Sequence, residues 1–309
     1  MTVPELVARG IAAGLLAASE VLDGAIAVYP QSRSNVVYRV ERHGVPFAYV
    51  KQRGQSSMLD GDDVVFNERA VLTELAGVGC LPQVLSIDDP GALWVKAVPG
   101  RPLAELLSGG AEFDAACSGL AQSLVELHSW PAAGTLSGLP RAPEPWALRP
   151  DELPPSMAGS PPDSACAAVL DLTREPDVRA ALEHASSRWT RTAWIHGDVS
   201  ANNIIIDQGR ATLVDLEGAG LGAPDWDLAT AVSTLGGLGN TGTAFLTEYW
   251  RQGGPARLDD AMLTVRAVQT AWQVAVLTTE QGDSFVDAPG HLEAARKHAA
   301  SFVSTHGRR

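Results

Sequence analysis

The sequence predicts an α+β molecule of two lobes, an N-terminal antiparallel β lobe carrying one helix and a larger C-terminal lobe that is mainly helical. Three observations carry this expectation. In the first hundred residues, β-branched and apolar runs alternate with turn signals in the order strand, strand, strand, helix, strand, strand. The pair Pro99-Gly100 then interrupts the pattern, and beyond it the apolar spacing becomes helical. The expected division is 1-98 and 99-309, and a chain of 309 residues with 45% hydrophobic content can fill both cores.

The elements follow in order. "IAAGLLAAS" (Ile11 to Ser19) has the look of a short signal core, but Glu5 and Arg9 precede it and Glu20 and Asp23 follow, so an amphipathic leading helix over 3-22 is expected, retained in the protein. "VVYRVERHG" and "GVPFAYVKQ" form a hairpin candidate across His43-Gly44. In "VVFNERAVLTELAGVG" the residues Phe66, Ala70, Leu72 and Leu75 have helical spacing, and Gly77 or Gly79 can end the helix. "CLPQVLSIDDPGALWVKAV" reads as two strands around an Asp-Pro-Gly turn. Helices are expected near Pro102 to Leu107 and in "FDAACSGLAQSLVELHSW", where Leu120, Leu124 and Leu127 share a face and His128 reads as a packing histidine. Residues 131–162, rich in proline, glycine and alanine, read as an irregular excursion, with helical patterns before Trp189 and from Ala229 onward.

Charge and composition narrow the function. A formal net charge of −13 disfavours nucleic acid and anionic membranes, and accommodates a cationic partner or one carried with metal ions. No apolar run approaches the roughly 20 residues of a bilayer span. Cys80, Cys117 and Cys166 lie far apart without metal-ligand spacing, which fits a reducing cytoplasmic setting.

The chemistry concentrates in "WIHGDVSANNIII", Trp194 to Ile206, and in the strand pair "NIIID" and "RATLVD" after it. That hairpin brings Asp198, Asn203 and Asp215 together, with Asp215 at the end of its second strand. Phosphoryl transfer from a nucleotide needs a carboxylate to orient and deprotonate the acceptor hydroxyl, and hard oxygen ligands for Mg²⁺ on the phosphates. Asp198 suits the base, and Asn203 and Asp215 suit the metal. The spacing H-x-D, then N after four intervening residues, agrees with a kinase catalytic loop. The N-terminal lobe supplies an independent requirement: Lys51 ends the third expected strand and Glu68 lies in the following helix, where an ion pair would hold the lysine against the α and β phosphates.

With "HGDVSANNIII", "LVDLEGAGLGAPDWDLA" and "VKAVPGRPL", the chain from about Val28 onward resembles the aminoglycoside phosphotransferase and choline kinase-like family, small-molecule relatives of the protein kinases. The resemblance implies a bilobal protein-kinase-like fold with ATP or GTP in the cleft. It carries functional positions onto Lys51, Glu68, Asp198, Asn203 and Asp215, makes Asp227 a support of the catalytic loop, and makes "WVKAVPG" a hinge where backbone groups of Lys96 and Val98 pair with the base.

Departures from the family pattern bear on the acceptor. The phosphate-covering segment "YPQSRSNVVYRV" lacks glycine, so Ser32, Arg33, Ser34 and Asn35 are the expected phosphate donors there. Gly197 stands where protein kinases carry arginine, "DLE" replaces "DFG", and no A-P-E segment follows, so activation-loop regulation is not expected. Ser200 and Ala201 occupy places where many family members carry histidine and proline. Glu280, Asp283 and Asp287 would suit a cationic acceptor, although such a run is more often a solvated loop. The acceptor is expected to be the hydroxyl of a small molecule such as an amino sugar or related metabolite. The alternatives are Ser or Thr of a precursor peptide in peptide natural-product biosynthesis, and a nucleotide-binding scaffold without transfer activity.

Overall fold

The computed structural model of the chain describes residues 1–31, 36–52, 64–87, 92–107, 110–132, 138–152, 164–236, 241–281 and 288–306, without the side chains at 64, 66, 164, 277–281 and 288–289. The leading segment is two helices, not the single helix expected over 3-22. In α1 (Val3–Ala12), Thr2 and Glu5 form a capping box, with the Thr2 N–H donating to Glu5 Oε2 at 2.7 Å. The chain then turns at Gly14, φ +70°, where the Leu15 and Leu16 N–H groups donate to the Gly10 carbonyl, before α2 (Ala18–Leu22) begins. Burial decides the break, because the turn lets Leu16 join Leu6 against Trp94 beneath the sheet.

That sheet comprises β1 (Ile26–Pro30), β2 (Val36–Arg42), β3 (Val45–Gln52), β4 (Val84–Ile87) and β5 (Leu93–Lys96), with α3 (Val64–Glu74) between β3 and β4. The strand order is β1-β2-β3-β5-β4 and every pairing is antiparallel. His43 and Gly44, with φ of 53° and 77°, make the tight β2–β3 turn, whose twist calls for positive φ at both central residues. Strand alternation then sorts β3: Ala48 and Val50 enter the cluster under α1, whereas Tyr49 packs against the cluster that holds Val71 and Leu72 of α3. Lys51 shares the Tyr49 face, so it is aimed at α3.

The remaining elements are β6 (Arg101–Pro102), a 3₁₀ turn at Leu103–Leu106, α4 (Ala111–Ser129), a 3₁₀ turn at Trp146–Leu148, α5 (Ser164–Leu172), α6 (Pro176–Arg188), β7 (Ala193–Ile195), β8 (Ile204–Asp207), β9 (Arg210–Leu213), a 3₁₀ turn at Leu216–Gly218, β10 (Gly220–Gly222), α7 (Pro224–Leu235), α8 (Thr241–Arg251), α9 (Asp260–Gln281) and α10 (Ala288–His306). The expected helix near Pro102 to Leu107 is thus only a 3₁₀ turn. Within 131–162, the described residues hold only the short turn at Trp146–Leu148 and an isolated bridge from Arg141 to Leu221, in keeping with an irregular excursion.

Two small sheets, β6-β8-β9 and β10-β7, lie among these helices. One core joins Leu120, Leu124 and Leu127 of α4 to Ile204, Ile206 and Leu213, and continues to Leu75, Leu93 and Val95 of the N-terminal half. A second packs Leu182, Val268, Trp272 and Phe302 from α6, α9 and α10. Apolar side chains therefore run unbroken from the N-terminal sheet to the β8–β9 hairpin, and the candidate residues sit at that junction.

Candidate active site

β7 leads directly into the loop from His196 to Asn203. Ile195 and His196 are buried, Asp198 is exposed, and Val199 returns to the core. The Ser200 N–H donates to the Asp198 carbonyl at 2.8 Å and the Asn203 N–H to the Ser200 carbonyl at 3.0 Å, so the irregular residues form two successive tight turns. Asn203 Nδ2 donates to Asp198 Oδ2 at 2.8 Å, which fixes the carboxylate. The His196 ring donates from Nε2 to the Val214 carbonyl at 2.9 Å and accepts the Asp198 N–H at Nδ1, 3.2 Å. Thr234 Oγ1 holds the Val199 carbonyl and the Ala104 N–H holds that of Ala201.

Behind the loop, fully buried Asp227 at the start of α7 accepts the His196 N–H at 2.7 Å through Oδ2 and the Gly197 N–H at 2.9 Å through Oδ1. His128 Nε2 lies 3.1 Å from the same Asp227 Oδ2, and its Nδ1 lies 2.9 Å from the Tyr249 hydroxyl, which also receives the Ala256 N–H. Buried polar groups need partners of this kind. Here α4, α7 and α8 supply them to one loop. The expected packing role of His128 therefore comes with a specific hydrogen-bonding duty.

Lys51 lies across the junction. Its Nζ is 2.8 Å from each oxygen of buried Glu68 and 2.6 Å from Asp215 Oδ1. Burial alone would lower the Lys51 ammonium, but the Glu68 and Asp215 carboxylates outweigh it and hold the group charged, above its ordinary value. Asp215 does not end β9. It stands two residues beyond the strand in the left-handed region, φ 65°, after the Val214 N–H donates to the Asn203 carbonyl at 2.9 Å. Asn67, adjacent to Glu68, donates from Nδ2 to the Glu217 and Ala219 carbonyls at 3.0 and 2.9 Å, latching α3 to the segment that follows Asp215. Glu217 is pushed up to about 6 by burial and then by Asp215, with Lys51 opposing.

The structure thus brings Lys51, Glu68, Asp198, Asn203 and Asp215 into one constellation. Ser32, Arg33, Ser34 and Asn35 lie outside the described residues, as do Asp283, Asp287 and the side chain of Glu280. At the connection after β5, the Lys96 N–H is committed to the Gln83 carbonyl at 2.8 Å, and Val98 is half-buried. Val98 also lines a cavity of about 240 Å³ with Cys80, Ser123 and Glu126. None of the five clustered residues lines it. Sequence reasoning missed Asn67, Trp226 and Tyr249; the first two adjoin the recognised Glu68 and Asp227, and Tyr249 carries no local signal.

The donor set suits a hard cation in a particular way. The Asn203 amide nitrogen is spent on Asp198, which leaves its oxygen as the end for a cation, and Asp215 adds a carboxylate tethered beside it. Among the described residues no cluster of three His, Cys, Asp or Glu side chains could hold a metal unaided. Asn203 and Asp215 therefore fit an ion brought in on phosphate oxygens, as Mg²⁺ is.

Comparison with known proteins gives the family and the fold. The model of the APH phosphotransferase enzyme family matches residues 26–268, and the chain belongs to that family. It is accordingly a kinase with a hydroxyl acceptor. No curated protein matches the chain in sequence. Among solved structures, choline kinase LicA from Streptococcus pneumoniae is similar with a TM-score of 0.64 at 16% identity, over 97% of this chain and 100% of the other. A choline/ethanolamine kinase family protein from Mesorhizobium loti gives 0.58 at 18% identity, over 96% and 95%. A thermostable mutant of aminoglycoside phosphotransferase APH(4)-Ia, in ternary complex with AMP-PNP and hygromycin B, gives 0.59 at 13% identity, over 92% and 94%. At these identities the likeness speaks to the fold. Among the described residues no helix is long and apolar enough to cross a membrane.

Proposed function

We propose that the protein transfers the γ-phosphoryl group of ATP or GTP, carried with Mg²⁺, to the hydroxyl of a small molecule. The observation that carries this is the position of Lys51 Nζ, held by Glu68 and 2.6 Å from Asp215, which joins the N-terminal sheet to the segment after β9 whose Val214 N–H bonds the Asn203 carbonyl. Nucleotide binding draws further support from relatives of like fold that were solved with AMP or AMP-PNP.

In this reading Lys51 engages the α and β phosphates, with Glu68 orienting it. Asp198, exposed and steadied by Asn203, accepts the proton from the acceptor hydroxyl as that oxygen attacks phosphorus. Asn203 and Asp215 would hold Mg²⁺, whose charge, when bound, offsets that of the phosphates. The lobes divide at 98/99, and the C-terminal lobe holds the acceptor.

Transfer of radiolabel from γ-labelled ATP or GTP to a panel of small alcohols tests the proposal. Asp198→Asn should lower kcat by roughly 10²–10⁴-fold, the usual share of a general base, with nucleotide affinity kept. Asp215→Ala should abolish Mg²⁺-dependent nucleotide turnover. Full transfer by the first variant would remove Asp198 as base, and full turnover by the second would remove the metal site. Label appearing only on Ser/Thr-rich peptides would move the acceptor class to peptides.

A further inference from the structure

Arg266 of α9 has no part in the constellation above, yet it is placed beside it. Its guanidinium lies over the Trp226 ring, 5.6 Å from the centroid, and the indole Nε1 of that ring donates to the Gly197 carbonyl at 2.8 Å, one residue before Asp198. The ring therefore fixes Arg266 relative to the base. One turn farther along α9, Gln269 Oε1 receives the Ala147 N–H at 3.3 Å, so the Trp146–Leu148 turn closes the same helix face.

The bonding of Arg266 is incomplete. Its Nε is buried and has no hydrogen-bond partner among the described residues. No carboxylate of the described residues lies within 4.0 Å of its guanidinium as an ion pair, although other arginines of this acidic chain commonly make one: Arg101, Arg149, Arg174, Arg179, Arg188 and Arg251 all do. Burial pulls the guanidinium below its ordinary range, and Asp198 is the carboxylate that acts against this. A planar cation with unused donors, close enough to feel the base but not paired with it, is suited to bidentate binding of an oxyanion.

We propose that Arg266 reads an oxyanion of the acceptor, a carboxylate or a phosphate, while the acceptor hydroxyl faces Asp198. This rests on the phosphotransferase reading of the site and deepens it. The acceptor is then a hydroxy acid or the phosphate ester of an alcohol, in place of the cationic molecule that net charge accommodates. Trp226 acts as a positioning residue, holding Arg266 and the loop in one frame.

Malonate and sulfate serve as probes of the two oxyanions, titrated by intrinsic tryptophan fluorescence into protein already saturated with Mg²⁺ and AMP-PNP, so that the nucleotide phosphate sites are occupied. The wild type should bind at least one of them saturably. Arg266→Met should weaken that binding at least about tenfold, the scale of a charge-assisted pair, and Arg266→Lys, which keeps the charge without the fork, should fall between. A malonate preference assigns a hydroxy acid and a sulfate preference a phosphate ester. No saturable binding by the wild type, or equal binding by a folded Arg266→Met or Arg266→Lys protein, would overturn the proposal. Failure of wild-type protein to bind Mg²⁺ and AMP-PNP is a separate result, and it would count against the phosphotransferase reading itself.

Discussion

Gly197 has a φ of 84°, and a Cβ there would fall on the Gly218 carbonyl oxygen, well inside van der Waals contact. Its N–H goes to Asp227 and its carbonyl to Trp226, so the backbone cannot turn away without giving up both. The absence of a side chain thus lets the Asp198 loop lie directly on the segment after Asp215. Gly197→Ala combines left-handed strain, about 1–2 kcal/mol, with that collision, and the loop must shift to relieve it. Displacements near 1 Å at a reacting centre cost on the order of 10²-fold in rate, so kcat should fall by about that factor. Nucleotide affinity, which in the proposed reading depends on Lys51 across the junction, should change far less. Steady-state kinetics with a competitive nucleotide analogue separates the two, and an equal loss in both would contradict this account.

At the scale of elements, the loop is held from behind by helices distant in sequence. Asp227 on α7, His128 on α4 and Tyr249 on α8 form one relay, and Asp227 accepts three hydrogen bonds in full burial. Asp227→Ala leaves the His196 and Gly197 N–H groups and His128 Nε2 without an acceptor, each worth about 1–3 kcal/mol when buried. The variant should melt several degrees lower and lose most of its transfer activity, with Asp227→Asn intermediate; thermal unfolding beside kinetics checks both. The parts of this site legible in sequence were the local ones. Lys51 and Glu68 follow from strand and helix order, and Asp198 and Asn203 from spacing within one loop. The relay partner Tyr249, the Asn67 latch and Arg266 depend on which helix faces meet, which no local pattern states. The break at Gly14 escaped for a related reason, since Ile11 to Ser19 keeps helical composition while the burial of Leu16 against Trp94 decides the turn.

At the scale of the whole molecule, an acidic chain must pack helices without bringing carboxylates together, and at one junction it does not avoid doing so. Asp225 in the first turn of α7 is pushed up to about 6, by burial and then by Asp259, with Arg188 of α6 opposing. Asp259 in turn caps α9 through the Met262 N–H at 3.0 Å and pairs with Arg188 at 2.6 Å, so the cluster ties three helices. For a carboxylate raised in the folded state, the contribution to stability is complete below the unfolded value of about 3.8 and is lost as pH rises through about 6. Between those limits the unfolded chain releases the proton first, and the loss approaches, on the order of, 3 kcal/mol. Asp225→Asn removes this dependence, so the variant should gain in Tm over the wild type at pH 7 and gain little at pH 4. Arg188→Met, which deletes the opposing cation, should widen the wild-type loss between the same pH values. Thermal unfolding of the three proteins from pH 4 to 8 gives the comparison. A Tm difference between wild type and Asp225→Asn that stays constant across that range would mean that the junction holds Asp225 no differently from the unfolded chain.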